Sequence, residues 1–339
     1  MNKPHTKPHI KARPEDFIVD EVPLYPATGE GPHTFIRVEK RSRTTEEVAA
    51  ELARVSGTQR REVGYAGIKD RVAVTRQWFS LADIEPERAM EFQLTGAKVL
   101  EAVRHQHKLR TGHLRGNRFE IWVRDLTATQ IAEAQVKVAT VGELGFANKF
   151  GSQRFGRDGD NPQRGLEILN GEKRLKDRRH ARFLVSALQS AVFNEVLAAR
   201  ELPLDQFEIG DLAMKHDSGG VFPVEDVEIE NLRAKTFEIS PSGPIFGKKV
   251  ARPLGVPAER EAGILAKYGI DAEMSLMPPR GISLRGARRA FRARPEDLEH
   301  STTNNAFRLA FTLMSGSYAT VLLEELFGEL STGPGENPA

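Results

Sequence analysis

Residues Val63 to Ser80 read VGYAGIKDRVAVTRQWFS, two apolar runs parted by the charged cluster Lys69, Asp70 and Arg71. A carboxylate between two cations at the hinge of a sheet element has two explanations. It is a turn aspartate bonding nearby backbone amides, or it is a charge placed for chemistry. The chain has no cysteine, which removes disulfides, thiolate nucleophiles, cysteine-ligated zinc and iron-sulfur clusters together. Any catalysis therefore rests on carboxylate, histidine, lysine, hydroxyl or a metal held by oxygen and nitrogen ligands.

Other candidate chemistry is weaker. GPIFGKK has too few residues between its glycines for a phosphate loop and a second lysine where a hydroxyl residue is needed. DGDN, at Asp158 to Asn161, starts like a calcium loop but lacks the glycine and closing glutamate at the required offsets. His105 and His107 would point the same way on a strand, with His113 nearby. Arg104, Lys108, Arg110, Arg115 and Arg118 around them would repel a divalent cation, so this stretch reads as a basic segment facing phosphate. Two further segments are basic: Lys173 to Arg182, and Pro279 to Arg294, which holds six arginines and no acid. Solvated helix faces often carry such runs. With a net charge of only +2, three of them mean segregated charge, the footprint of a nucleic-acid binder. Phe17, Phe119, Phe150, Phe155 and Tyr318 each flank a glycine, arginine or asparagine loop, where an aromatic ring could stack on an unpaired base.

These groups need elements to hold them. DFIVDEV, TFIRVEK and RFEIWVRDL alternate with period two, and Thr34, Ile36 and Val38 share one face. RTTEEVAAELARVSG reads as a helix, with Thr44 and Glu47 as a capping box and Gly57 at its exit. TATQIAEAQVKVATVGELG has helical spacing, and Leu184, Leu188, Val192 and Val196 form a helical stripe. The residues from Ala306 give a strand, a turn at Ser315 to Ser317 and a helix. Alternation with polar faces favours antiparallel pairing and an α+β fold. The glycine-rich, basic texture beginning near Asn148 suggests an insertion. The expected organisation is a first part over 1–150, an inserted domain over 151–302, a closing strand and helix over 303–330, and a disordered tail over 331–339. No apolar run reaches the roughly 20 residues that span a bilayer, and the polar start lacks a signal core, so a cytoplasmic protein is expected. No coiled coil or long apolar stripe stands out, and a monomer is expected.

GYAGIKDRVAVTRQ resembles the signature of the TruD family of tRNA pseudouridine synthases, a Gly-x-Lys-Asp loop followed by an Ala-Val-Thr-x-Gln strand. RPEDFIVDE, LRGNRFEI, NKFGSQRFG and SGSYAT resemble that family's other blocks in the same order, from about Pro14 to Thr320. The resemblance implies an antiparallel-sheet pseudouridine synthase catalytic domain with an inserted α+β family-specific domain. It implies isomerisation of a uridine in tRNA, position 13 of the D arm in bacterial members, with tRNA as partner and neither metal nor cofactor.

Carried over block by block, the resemblance makes Asp70 the catalytic aspartate, either a nucleophile on the sugar or a base at its 2′ carbon. Phe17 and Tyr318 would stack on the flipped uridine, Asn117 would hydrogen-bond it and Phe119 would wall the pocket. The family usually has phenylalanine where this chain has Tyr318. Lys69 or Arg71 could keep Asp70 ionised and pair with phosphate. On a strand both would point away from Asp70, which leaves Lys11 as a candidate partner. Two rivals remain at this stage: a tRNA-binding or RNA-chaperone protein without turnover, and a pseudouridine synthase acting on another RNA.

Overall fold

Residues 7–271 and 284–332 are described by the computed structural model. Period-two alternation sets its principal strands: Phe17–Pro23, His33–Arg41, Val74–Ala82, Ala97–His105, Leu114–Arg124, Glu296–Thr302 and Ala306–Met314. They form one sheet in the order 296–302, 306–314, 114–124, 17–23, 74–82, 33–41, 97–105. Neighbours are antiparallel except Phe17–Pro23 and Val74–Ala82, which run parallel with Ile18 opposite Val74. The expected α+β architecture with a mostly antiparallel sheet is therefore present.

The parallel pair matters for the site. Parallel neighbours cannot be joined by a hairpin and need a long crossover. Here the crossover carries the His33–Arg41 strand and the helix Thr45–Ser56, then returns through the GIKD loop into Val74. Asp70 is thereby delivered to the mouth of a strand whose neighbour begins at Phe17.

The helix forms where its signals stand. Thr44 Oγ1 accepts from the Glu47 amide, and Glu47 Oε2 accepts from the Thr44 amide. Gly57 closes the helix in the left-handed region at φ 77°. Val48, Ala49 and Leu52 pack on Ile36, Val38, Phe79 and Leu81, all buried. Burying each large side chain contributes roughly 1.5–3 kcal/mol. The opposite sheet face is a charge ladder: Arg37 and Arg76 bond Asp20 at 2.7 and 3.2 Å, Arg76 bonds Glu39 at 2.7 Å, and Arg308 bonds Glu120 at 2.8 Å.

The chain divides into one unit of 1–142, 295–319 and 323–339 and a second of 143–294 and 320–322. Glu296–Thr302, assigned from composition to the insertion, pairs with Ala306–Met314 in the large sheet. The second unit is built on the helix Arg178–Ala198, whose Leu184, Leu188, Val192 and Val196 are buried with Phe246, Ile264 and Phe291. It also holds a four-stranded antiparallel sheet, in the order Val221–Pro223, Leu212–Lys215, Ile239–Ile245, Ala287–Ala290. Of the tail expected to be disordered, Ser331 and Thr332 pair with His9–Ile10; 333–339 lie outside the described residues, as do 1–6 of the polar start and 279–283 of the third basic segment. Among the described residues no helix is long and apolar enough to cross a membrane.

Candidate active site

Three side chains fix the loop that carries Asp70. The Lys69 amide donates to Thr45 Oγ1 at 2.9 Å, and that hydroxyl donates to Gln77 Oε1 at 2.8 Å. Gln77 Nε2 donates to the Gly67 carbonyl at 3.2 Å. The glutamine of the AVTRQ strand thus braces the loop preceding it, through the first helical residue of Thr45–Ser56. From the neighbouring strand, Lys40 Nζ donates to the Arg43 and Asp70 carbonyls at 2.5 and 2.8 Å. Lys40 is 0% exposed.

Asp70 presents its carboxylate at the edge of this frame. Its side chain is 40% exposed, and Oδ2 lies 3.1 Å from Nζ of Lys11, whose side chain is only 2% exposed. Lys11 holds a left-handed backbone, φ 58°, and its ammonium stands 4.6 Å over the Phe17 ring. A desolvated cation on one oxygen and solvent at the remainder leave the carboxylate both oriented and reachable.

Lys69 faces inward. Its Nζ is 2.9 Å from Glu21 Oε2 and donates to Asn117 Oδ1 at 2.6 Å. Burial holds the Glu21 carboxyl above its usual range, with Lys69 only partly opposing the rise. An ammonium donates only, so its contact orients the Asn117 amide oxygen inward and leaves the NH2 as donor on the other side.

Strand register gathers the sequence blocks. Glu21 lies opposite Asn117, Val19 opposite Phe119, and Phe119 opposite Phe311. Phe17 meets Phe119 edge to face at 6.2 Å, and Phe119 stacks on Phe311 at 5.3 Å. Phe17 and Phe119 are 3% and 9% exposed, so they form a floor with little open ring. Gly116 lets the strands close: a Cβ there would sit 2.2 Å from the Leu313 carbonyl. Tyr318 is half-buried at the N-cap of Ala319–Phe327, four residues after Met314, which pairs with Gly116.

Elsewhere, the structure redistributes the sequence candidates. His105 is buried against Phe35 and Tyr25, and burial lowers its pKa. Tyr25 Oη bonds His113 Nδ1 at 2.7 Å. No group of three or more potential metal ligands occurs among the described residues. In the third basic segment Arg288 is buried and paired with Glu261 at 2.8 Å. Arg292, 1% exposed, donates to Ser240 Oγ and to the Leu144, Ala234 and Ile239 carbonyls. Those arginines build the core of the second unit, whereas Lys173, Arg174, Lys176, Arg178, Arg179 and Arg182 are exposed.

Sequence reasoning missed Lys40, Glu21, Thr45, Gln77 and Phe311. Period two contains a signal for the first two: Lys40 continues Thr34, Ile36 and Val38, and Glu21 continues Phe17 and Val19.

A family model described as tRNA pseudouridine synthase D (TruD) matches residues 1–176 and 173–326. The chain is 41% identical to tRNA pseudouridine synthase D of Anaeromyxobacter sp. strain Fw109-5, covering 94% of this chain and 91% of that protein. It is likewise 41% identical to a tRNA pseudouridine synthase D of Thermus thermophilus, covering 94% and 88%. It superposes on the crystal structure of a putative tRNA pseudouridine synthase D from Methanosarcina mazei with TM-score 0.78 at 22% identity, covering 97% and 95% of the two chains.

Proposed function

The chain belongs to the tRNA pseudouridine synthase D (TruD) family and is a tRNA pseudouridine synthase, and from that premise we propose that Asp70 is its catalytic residue, acting on uridine 13 of the D arm. The reaction breaks the bond between the sugar carbon and the ring nitrogen, turns the base, and rejoins it through ring carbon 5. Nothing is oxidised: ring carbon 5 loses a proton as it bonds the sugar and the freed ring nitrogen gains one, so one carboxylate suffices and no cofactor is called for. Asp70 either attacks the sugar carbon or removes the proton from the 2′ carbon.

The observation that carries this reading is the pairing of half-exposed Asp70 with buried Lys11 at 3.1 Å, on a loop braced by Thr45 and Gln77. The carboxylate is held rather than free to sample solvent, as in-line chemistry on a flipped nucleotide requires. Asn117, its oxygen engaged by Lys69, offers its NH2 to a uracil carbonyl. Phe17 and Phe119 line the base pocket, and Tyr318 closes it by stacking. Lys69 acts on the base through Asn117 and not on phosphate. The exposed basic residues 173–182 carry the RNA backbone. The protein acts as a monomer on tRNA, in the cytoplasm where tRNA is matured.

Chemical mapping of pseudouridine after incubating the wild type with unmodified tRNA tests the target. Conversion confined to uridine 13 supports the reading, and conversion of a different uridine or of another RNA removes the D-arm assignment.

A further inference from the structure

Lys40 has an environment that its place in the sheet does not require. It occupies the inward face that Thr34, Ile36 and Val38 fill with buried atoms, and is itself 0% exposed. Among the described residues no carboxylate bonds its ammonium in the way Glu21 accompanies Lys69. Instead it bonds the Arg43 and Asp70 carbonyls. Across the sheet it stands opposite Thr75 and Ala97, neither of them charged. A buried ammonium costs stability unless it is paired. Methionine or leucine would fill the same volume without that cost.

We propose that Lys40 is a positioning residue for the isomerisation: its buried charge pins the main chain at Asp70 and so keeps the Asp70 carboxylate aimed at the nucleotide. The inference rests on the reading of Asp70 as catalytic. Lys11 supports that carboxylate at an oxygen, and Lys40 supports it from below through the backbone. The two cations divide the work.

The environment makes the charge titratable. Burial draws the Lys40 ammonium down to about 8 from its usual 10.5. Asp70 opposes that fall, as do Glu46 and Glu47 on the adjoining helix, while Lys69 on the loop adds to it. The folded protein thus releases this proton near pH 8, while the unfolded chain holds it to about 10.5. Between those values the unfolded state binds more protons, so the contribution of this group to stability rises with pH. Activity that depends on the charge falls over the same window. Loss of rate above pH 8 is therefore separable from loss of fold.

The test compares wild type, Lys40→Met, Lys40→Arg and Asp70→Asn on one tRNA, with kcat and KM measured between about pH 7 and 9 and folding followed by circular dichroism. The expected result is a wild-type kcat that drops severalfold above pH 8 with the fold intact. Lys40→Met should be slower on the order of 10- to 100-fold, with KM unchanged and no inflection near 8. Lys40→Arg, charged at every pH used, should lack that inflection and retain most of the activity at pH 7. A wild-type kcat flat from pH 7 to 9, or an inflection that persists in either Lys40 variant, overturns the proposal. If Lys40→Met does not fold, wild type and Lys40→Arg decide it. An active Asp70→Asn overturns the premise about Asp70 instead.

Discussion

Lys69 Nζ donates to Asn117 Oδ1 across 2.6 Å, joining the loop that carries Asp70 to the strand that carries Phe119. The same ammonium neutralises Glu21 at 2.9 Å, and both partners of that ion pair are more than nine-tenths buried. Consecutive residues thus have separate tasks. Lys69 bonds inward to Glu21 and Asn117, and Asp70 presents its carboxylate at the surface beside Lys11.

Lys69→Met strands the Glu21 carboxylate in a desolvated site. Breaking one side of a buried pair costs about 3–5 kcal/mol, so urea unfolding should show a midpoint well below wild type with the slope unchanged. Adding Glu21→Leu should recover most of that loss. The double variant should still show a raised KM, because Asn117 has lost the contact that orients it. A double variant as unstable as the single would mean the pair is not the source.

Asp16, in the RPEDFIVDE block, is 0% exposed and bonds Arg124 at 2.6 and 2.7 Å and Arg13 at 3.1 Å. Desolvation raises its pKa, but the two arginines outweigh that and hold it below 3.8. A carboxyl with a lowered folded value stabilises the protein above the unfolded value and loses that contribution as pH falls through the folded one. Asp16→Asn should cost about 3 kcal/mol at pH 7. Its stability should also decline less steeply than that of wild type when the pH is lowered through the acid range. Parallel acid limbs for the two proteins would contradict this.

The exposed cations of the second unit should act on affinity alone. Replacing Arg178, Arg179 and Arg182 by glutamate should weaken tRNA binding by about tenfold or more and flatten the dependence of log K on log salt. At saturating RNA the rate should match wild type. A fall in kcat with an unaltered salt slope would remove these residues from the RNA interface.

The elements that set the site were largely legible. The Thr44 and Glu47 capping box, the period-two runs and the helical stripe at Leu184 each appear where spacing puts them, because each depends on local chemistry. Less legible was anything decided by partners distant in sequence. Arg288 and Arg292 read as phosphate-facing, since a run of arginines does not reveal that alternate strand positions turn inward to Glu261 and to backbone carbonyls. Lys69 read as a cation for Asp70 or for phosphate because its partners, Glu21 and Asn117, lie 48 residues away on either side. The parallel pairing of Phe17–Pro23 with Val74–Ala82 had no signal in alternation, which is the same for both directions.

Asp70→Asn removes the charge that pairs with buried Lys11 and keeps the size of the side chain. Single-turnover conversion of uridine 13 should fall below detection while filter-binding affinity for tRNA stays within about twofold of wild type, since the side chain is a poor partner for phosphate. A variant that binds tRNA and still converts uridine at a measurable fraction of the wild-type rate would contradict the assignment of the chemistry to Asp70.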